Sequence, residues 1–211
     1  MLSRLPRITV RVRPVVPEAP THLLVTEVPL RYSAVALSMM SILNAPIAHC
    51  ADAPAPVPAM ISGAYPYVPI PGAAAAPDKS RVYKVIFNVT RASAKPEELV
   101  EGILFAATDL SALRGQGVPA SNTKFALIFH GPAVDGLLDN AAYQAKFGVS
   151  NPNLAMLSAL KRAGADVLVC AQFIGAMKID PAKLTADVSL ASEAFITLIT
   201  YQNNGYAVLE F

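Results

Sequence analysis

The uneven distribution of proline constrains the fold of this 211-residue chain more than any other feature of its sequence. Of the eighteen prolines, thirteen lie in residues 1–80 and five in residues 81–211. Proline fixes φ and has no backbone N–H, so it is excluded from the interiors of helices and sheets. The sequence therefore predicts that the packed domain is confined to residues 80–211.

Residues 1–29 contain four arginines among scattered prolines and show neither a helical nor a strand period: Arg4, Arg7, Arg11 and Arg13. Two interpretations are open, a basic targeting arm and an upstream extension that precedes the true start of the protein. We favour the upstream extension because of the segment that follows it.

Residues 30–51 have the order of a secretory signal peptide. Arg31 precedes an apolar run from Ala34 to Ala45, which is followed by Pro46 and several small residues. The run is shorter than the roughly 20 apolar residues that a membrane-spanning helix needs. We therefore predict a cleaved signal peptide, a periplasmic or secreted bacterial protein, and no stable membrane span after cleavage. A non-cleaved anchor, a buried helix and lipidation of Cys50 remain alternatives.

Residues 52–79 are rich in proline and alanine, with prolines at alternate positions in two stretches. Such a composition is typical of an extended spacer of the polyproline type. We predict a disordered linker here. A docking ligand for a partner protein is the alternative interpretation.

The charge of the predicted domain argues against one class of partner. Residues 80–211 contain eleven lysines and arginines and eleven aspartates and glutamates, so their net charge is zero. A nucleic-acid-binding domain normally carries a basic patch. We therefore expect no nucleic-acid partner.

Residues 80–211 alternate between strand and helix patterns. Strands are predicted at 82–89, 125–130, 166–171 and 206–211, and helices from Pro96, at 134–147, after Asn151-Pro152, around 181–186 and at 189–203. Strands that are apolar on both sides and separated by helices form parallel sheets covered on both faces. The predicted fold class is α/β, a three-layer sandwich with a mainly parallel central sheet.

Several residues that could take part in a reaction or bind a ligand lie at the carboxyl ends of the predicted strands, where open parallel sheets bind ligands. Cys170 is a candidate nucleophile, or else a buried structural cysteine. His130 is a candidate to orient or deprotonate the thiol or to bind a metal, or else a histidine satisfied by backbone groups. Asn88, Gly131 and Gln172 are predicted to line the same edge.

No cofactor motif is present. The sequence contains no Walker loop, dinucleotide-binding glycine fingerprint or nucleophile elbow. Its three histidines are His22, His49 and His130, and no cysteine–histidine spacing matches a zinc site. We therefore predict neither a cofactor nor a metal. Two cysteines cannot build a disulfide scaffold.

Several segments in the same order resemble the DsrE/DsrF/TusD-like sulfur-relay family, and its exported, uncharacterised branch in particular. The resemblance spans residues 82–211 and is carried by Phe129–Val134, Asn151–Leu154, Leu160–Gly164, Val167–Gln172 and Gln202–Ala207.

The resemblance implies a homo-oligomer, trimeric or hexameric, and a role in sulfur handling. Relay members hold sulfane sulfur as a persulfide on a cysteine that matches Cys170, and His130 matches a family histidine. The expected function is therefore a sulfur carrier or sulfurtransferase with a donor or acceptor protein as partner. The alternative is a non-enzymatic oligomeric binding or assembly module with a structural cysteine.

Two features depart from the family pattern. Relay members are cytoplasmic, whereas this chain carries the pattern of an exported protein. Gln172-Phe173-Ile174 also replaces the small residues that usually follow the relay cysteine.

Overall fold

The computed structural model describes residues 54–211. The predicted upstream extension, the predicted signal peptide and Cys50 lie outside the described residues. A five-stranded sheet with the order β4-β3-β2-β1-β5 forms the centre, and every strand pair in it is parallel. The strands are β1 (Tyr83–Val89), β2 (Thr123–Phe129), β3 (Asp166–Cys170), β4 (Ser189–Ala191) and β5 (Ala207–Glu210).

Five α-helices and three short 3₁₀ helices connect the strands. The α-helices are α1 (Glu101–Gly115), α2 (Asn140–Phe147), α3 (Leu154–Arg162), α4 (Ala171–Ala176) and α5 (Ala194–Asn203). The 3₁₀ helices span Ala120–Asn122, Gly131–Leu137 and Pro181–Lys183. Within residues 54–211, no helix has the length and apolar character needed to cross a membrane.

Alternation of side chains along the strands produces two apolar layers. Phe87 and Leu127 belong to the larger layer, which buries side chains of α1 and α3 against one face of the sheet. Ile86 and Ile128 belong to the smaller layer, in which α5 covers the opposite face. The predicted three-layer α/β sandwich with a parallel central sheet is confirmed.

The first two predicted helices begin later than expected. The helix predicted from Pro96 begins at Glu101, because the side chain of Asn153 accepts a hydrogen bond from the Val100 N–H at 2.8 Å and ends the preceding turn. The helix predicted over 134–147 is divided into a 3₁₀ helix and α2. Asp139 begins α2 by accepting a hydrogen bond from Ala142 N–H.

The helix predicted over 189–203 is wrong in its first part. Ser189–Ala191 forms β4 beside β3, and α5 begins only after Glu193, whose carboxylate accepts the Ile196 N–H at 2.7 Å. A strand of three residues is too short to show a period of two. The six-residue helix α4 was also missed, since it follows β3 without an intervening loop.

Asn151 does not cap α3 as the sequence predicts. Its side chain is buried and donates hydrogen bonds to the carbonyl oxygens of Gly136 and Leu138 at 3.0 and 2.6 Å. The helix begins at Leu154, after Asn153. The two asparagines therefore join three loops in the interior instead of serving one helix end.

The described part of the predicted disordered linker packs against the domain. Val57 and Tyr67 form an antiparallel bridge, with N–O distances of 2.7 and 3.0 Å. Between them, Ile61 is 3% exposed and joins the larger apolar layer. Its N–H donates to Ser111 Oγ on α1 at 3.3 Å. The proline-rich composition excluded long regular elements here without preventing docking through single apolar side chains.

Ile61→Ala should destabilise the protein by about 2–4 kcal/mol, because it removes a fully buried aliphatic side chain. Ile70→Ala is the matched control, since Ile70 belongs to the same segment and is 68% exposed. Chemical denaturation of both variants measures the difference. Equal stability of the two variants would show that this segment is a free spacer in solution.

Candidate functional site at the carboxyl edge of the sheet

The strand register brings two candidate residues side by side. Phe129 of β2 pairs with Val169 of β3, and the chain stays extended at the following residue, His130. His130 and Cys170 each follow this pair by one residue, and neighbouring strands lie about 4.8 Å apart. They follow Ile128 and Leu168 at a spacing of two, so both belong to the face covered by α5.

Cys170 is buried at this position, with 3% of its surface exposed. Its sulfur accepts a hydrogen bond from the backbone N–H of Phe173 at 3.4 Å, so the thiol caps α4. The surrounding apolar cluster comes from the strands and α5: Ile86, Ala126, Ile128, Ala194 and Leu198. The sequence left open whether Cys170 is a nucleophile at the edge of the sheet or a buried structural cysteine, and the structure encloses its sulfur beneath α5.

A short hydrogen-bond chain orients His130. Its Nε2 lies 2.8 Å from Oδ1 of Asn88, and Nδ2 of Asn88 donates to Oε2 of Glu210 at 2.7 Å. An ionised carboxylate only accepts hydrogen bonds, so Glu210 selects the amide nitrogen of Asn88. The amide oxygen then faces the histidine, and the Nε2 atom must carry the proton.

The second ring nitrogen of His130 remains free to react. Within residues 54–211, Nδ1 has no hydrogen-bond partner, and no buried side-chain nitrogen or oxygen is left unpaired. The Nδ1 atom is therefore reachable by solvent. With the proton held on Nε2, it presents a lone pair that can accept a proton.

The start of α5 forms one wall beside the histidine. The ring of Phe195 contacts the His130 ring edge-on, with 5.5 Å between centroids, and Phe195 is 61% exposed. Glu193 also lies close. Hydrogen bonding from the Ile196 N–H is the main cause that lowers the pKa of Glu193, and the charge of His130 contributes to a smaller extent.

The remaining predicted edge residues have different surroundings. Gly131 has a φ of +64°, and a Cβ there would lie 3.2 Å from the carbonyl oxygen of Thr90, so glycine suits this turn. Gly131 lines a cavity of about 830 Å³ that adjoins the edge. Gln172 is exposed on α4. The structure thus joins Asn88 directly to His130, whereas Gln172 lies on the surface.

Sequence reasoning missed three contributors to the site. Glu210 pairs in register with Asn88, so its place at the end of the predicted last strand was a signal that could have identified it. Glu193 and Phe195 gave no such signal, because the helix predicted over 189–203 placed both within its length. The start of α5 became visible only when Ser189–Ala191 proved to be a strand.

The chemistry available at this edge is that of one imidazole, one amide, one thiol and the two carboxylates of Glu193 and Glu210. Among residues 54–211, no cluster of three or more histidine, cysteine, aspartate or glutamate side chains is arranged to hold a metal ion. The arrangement can accept a proton at His130 Nδ1. It also places a thiol on the neighbouring strand.

A family model described as the DsrE/DsrF-like family matches residues 84–211. The chain belongs to the DsrE/DsrF-like family. The matched region extends from β1 to the C-terminal residue and so contains His130, Cys170 and all but the first residue of the sheet.

One solved structure similar to this DsrE-like chain is a protein of unknown function from Methanobacterium thermoautotrophicum. The two share 16% sequence identity and a TM-score of 0.43, over 61% of this chain and 99% of the other. A comparison with curated proteins gave no match.

Asn88→Ala should allow neutral His130 to populate both tautomers, because the variant lacks the amide oxygen that holds the proton on Nε2. In the unaltered protein, long-range ¹H–¹⁵N NMR of neutral His130 should show the Nε2–H form alone, and the variant should show a mixture. Asn203→Ala, at an exposed position of α5, is the control. A mixture already present in the unaltered protein would contradict the assignment of the proton to Nε2.

Proposed function

We propose that this DsrE-like protein is a sulfur carrier that holds sulfane sulfur as a persulfide on Cys170. Family membership supports a sulfur-relay role. The observation that supports the assignment to Cys170 is that it and His130 each lie one residue beyond the Phe129–Val169 pair, with Cys170 at the carboxyl end of β3. At this edge of a parallel sheet, groups from several strands meet, and ligands bind there in related architectures.

The proposed transfer balances without an added oxidant. In the closed structure His130 Nδ1 is not hydrogen-bonded to the Cys170 sulfur, so the thiol passes its proton to Nδ1 only after the site opens. The thiolate then attacks the terminal sulfur of a donor persulfide, R–S–SH. The new S–S bond forms on Cys170 as the S–S bond of the donor breaks, and its electron pair leaves with R–S⁻. The proton held on His130 neutralises that leaving thiolate. Transfer to an acceptor thiol repeats the exchange in the opposite direction.

The burial of Cys170 adds a requirement to this mechanism, because a donor cannot reach a thiol that is 3% exposed. The adjoining helix α4, which the thiol caps, has six residues, and Ile174 is its one buried side chain. Short segments with few buried contacts open locally at low cost in free energy. Phe173 of α4 packs against the apolar cluster around the thiol, next to the residues of α5 that cover it. We infer that α4 opens from this cluster to admit the donor.

The same burial favours a second candidate function, a non-enzymatic binding or assembly module. In that case Cys170 is a packing residue, since a free cysteine behaves as a small apolar side chain. His130 would then serve as a hydrogen-bonding group at the surface. The two candidates differ in whether the native thiol reacts.

Glutathione persulfide should transfer one sulfur atom to the full chain, detected by intact mass spectrometry. The chain has two cysteines, so matched variants separate them. Cys50→Ser should retain the transferred sulfur, and Cys170→Ser should lose it. Cys170→Ala, which keeps a small apolar group in the core, checks that any loss does not arise from misfolding.

Equal sulfur uptake by Cys170→Ser and Cys50→Ser would contradict the sulfur-carrier proposal. Alkylation of folded Cys50→Ser by iodoacetamide gives an independent measure. Labelling without global unfolding would support opening of α4. Labelling only at the rate of global unfolding would favour the packing role.

We also propose that the protein is exported to the periplasm or out of the cell, because residues 30–51 have the pattern of a signal peptide. Sequencing the N-terminus of the protein from the periplasmic or secreted fraction tests this proposal. A sulfur donor or acceptor protein would then have to be present in the same compartment.

We also propose that the chain forms a homo-oligomer through the outer face of α5. Phe195, Ile196 and Ile199 are 61, 57 and 52% exposed on this helix. Adjacent apolar side chains left in contact with water are typical of an interaction surface. A second copy of the chain is the occupant that fits the trimeric or hexameric assembly expected from the family resemblance.

Ile196→Glu combined with Ile199→Glu should convert the oligomer to a monomer, because the charges would have to be buried at the interface. Ser121→Glu with Gln144→Glu adds the same charge at exposed positions outside α5 and should leave the assembly intact. Sedimentation velocity distinguishes these results. An unaltered chain that sediments as a monomer would refute the proposed contact.

A further inference from the structure

The cavity beside the sheet edge is separate from the pair His130–Cys170 and has a volume of about 830 Å³. It lies between the 3₁₀ helix Gly131–Leu137, α2, and the segment from α4 to Lys183. This volume falls within the range of about 300–1,000 Å³ that small-molecule sites occupy. The cavity faces the open surface, so a ligand has a path into it.

The interior of the cavity is apolar. Val134 and Leu138 are buried there, at 1 and 6% exposure. Phe173, Met177 and Ile179 contribute further apolar surface, and Met177 remains 60% exposed. Methionine adapts its shape to different apolar ligands. The lining therefore favours an aliphatic body.

The charged residues of the cavity leave an excess of positive charge. Lys146 forms an ion pair with Asp135 at 2.6 Å, and Asp180 caps the following 3₁₀ helix. Lys178 and Lys183 also line the cavity, and neither has an acidic partner within residues 54–211. An anionic group would complement these two ammonium groups.

Lys178 adopts a backbone conformation that is costly for a lysine. Its φ is +53°, in the left-handed region that glycine occupies without penalty. Lys178 is the one non-glycine residue with positive φ among the described residues. This conformation ends α4 in a Schellman motif: the Lys178 N–H donates to the Gly175 carbonyl oxygen at 3.1 Å, and the Ile179 N–H donates to that of Ile174 at 2.9 Å. The motif fixes Lys178 at the end of α4, beside the cavity.

We propose that this cavity binds an amphipathic carboxylate with an aliphatic chain. The chain occupies the apolar interior, and the carboxylate pairs with Lys178 and Lys183. The cavity and the proposed sulfur transfer share α4, because Phe173 lines the cavity and its N–H donates to the Cys170 sulfur. The two lysines that pair with the carboxylate take no part in the transfer. It gives the protein a second binding activity.

Decanoate, below its micelle concentration, should bind to the full chain in isothermal titration calorimetry. Lys178→Gln with Lys183→Gln should weaken its binding roughly tenfold, the loss expected for a charge-assisted contact. Lys124→Gln with Lys161→Gln changes the net charge equally at exposed positions outside the cavity and should have no effect. Decanol, which lacks the anionic group, should bind the unaltered protein more weakly than decanoate.

Ala145→Trp tests the location of the site, because Ala145 is exposed on α2 and lines the cavity. The larger side chain should block decanoate and decanol alike. Absence of decanoate binding, or equal binding by both lysine double variants, would overturn the proposal. Cys170→Ser should bind decanoate normally, so failure of the sulfur-carrier proposal and failure of this one are distinguishable.

Discussion

The parallel pairing of β1 with β2 is the interaction on which the rest of the structure depends. All seven residues of β1 are in register with β2, and the buried side chains alternate between two faces. Phe87 and Leu127 thereby join the larger apolar layer with α1 and α3, whereas Ile86 and Ile128 join the smaller apolar layer under α5. A shift by one residue would exchange these faces.

The same alternation decides which groups form the candidate site. Asn88 and His130 lie two residues after Ile86 and Ile128 on the same face of the sheet; Asn88 is buried, and His130 is half-buried beside Phe195 of α5. Cys170 occupies the corresponding position on β3 but remains beneath Ala194 and Leu198. This edge therefore contains a solvent-reachable imidazole and an enclosed thiol. Any reaction at the sulfur requires the fold to open locally.

Among residues 54–211, helix α5 covers the smaller apolar layer without a second helix beside it in that layer's buried cluster. Its outer side chains are therefore exposed to water. Its inner side is anchored by Tyr201, whose hydroxyl donates to Asp166 at 2.9 Å. Burial, together with this carboxylate, raises the pKa of Tyr201. Apolar packing and this hydrogen bond hold the helix to the sheet, and its outer apolar side chains remain exposed.

The amino-acid sequence by itself determined the fold class, the order of the long strands and the position of Cys170 and His130 at strand ends. These properties follow from local periodicity and from the burial of continuous apolar strands. Tertiary structure decided the burial of the Cys170 sulfur, the chain Glu210–Asn88–His130, the three-residue β4 and the docking of Ile61. Each of these depends on contacts between residues distant along the chain, and such contacts leave no periodic signal in a single sequence.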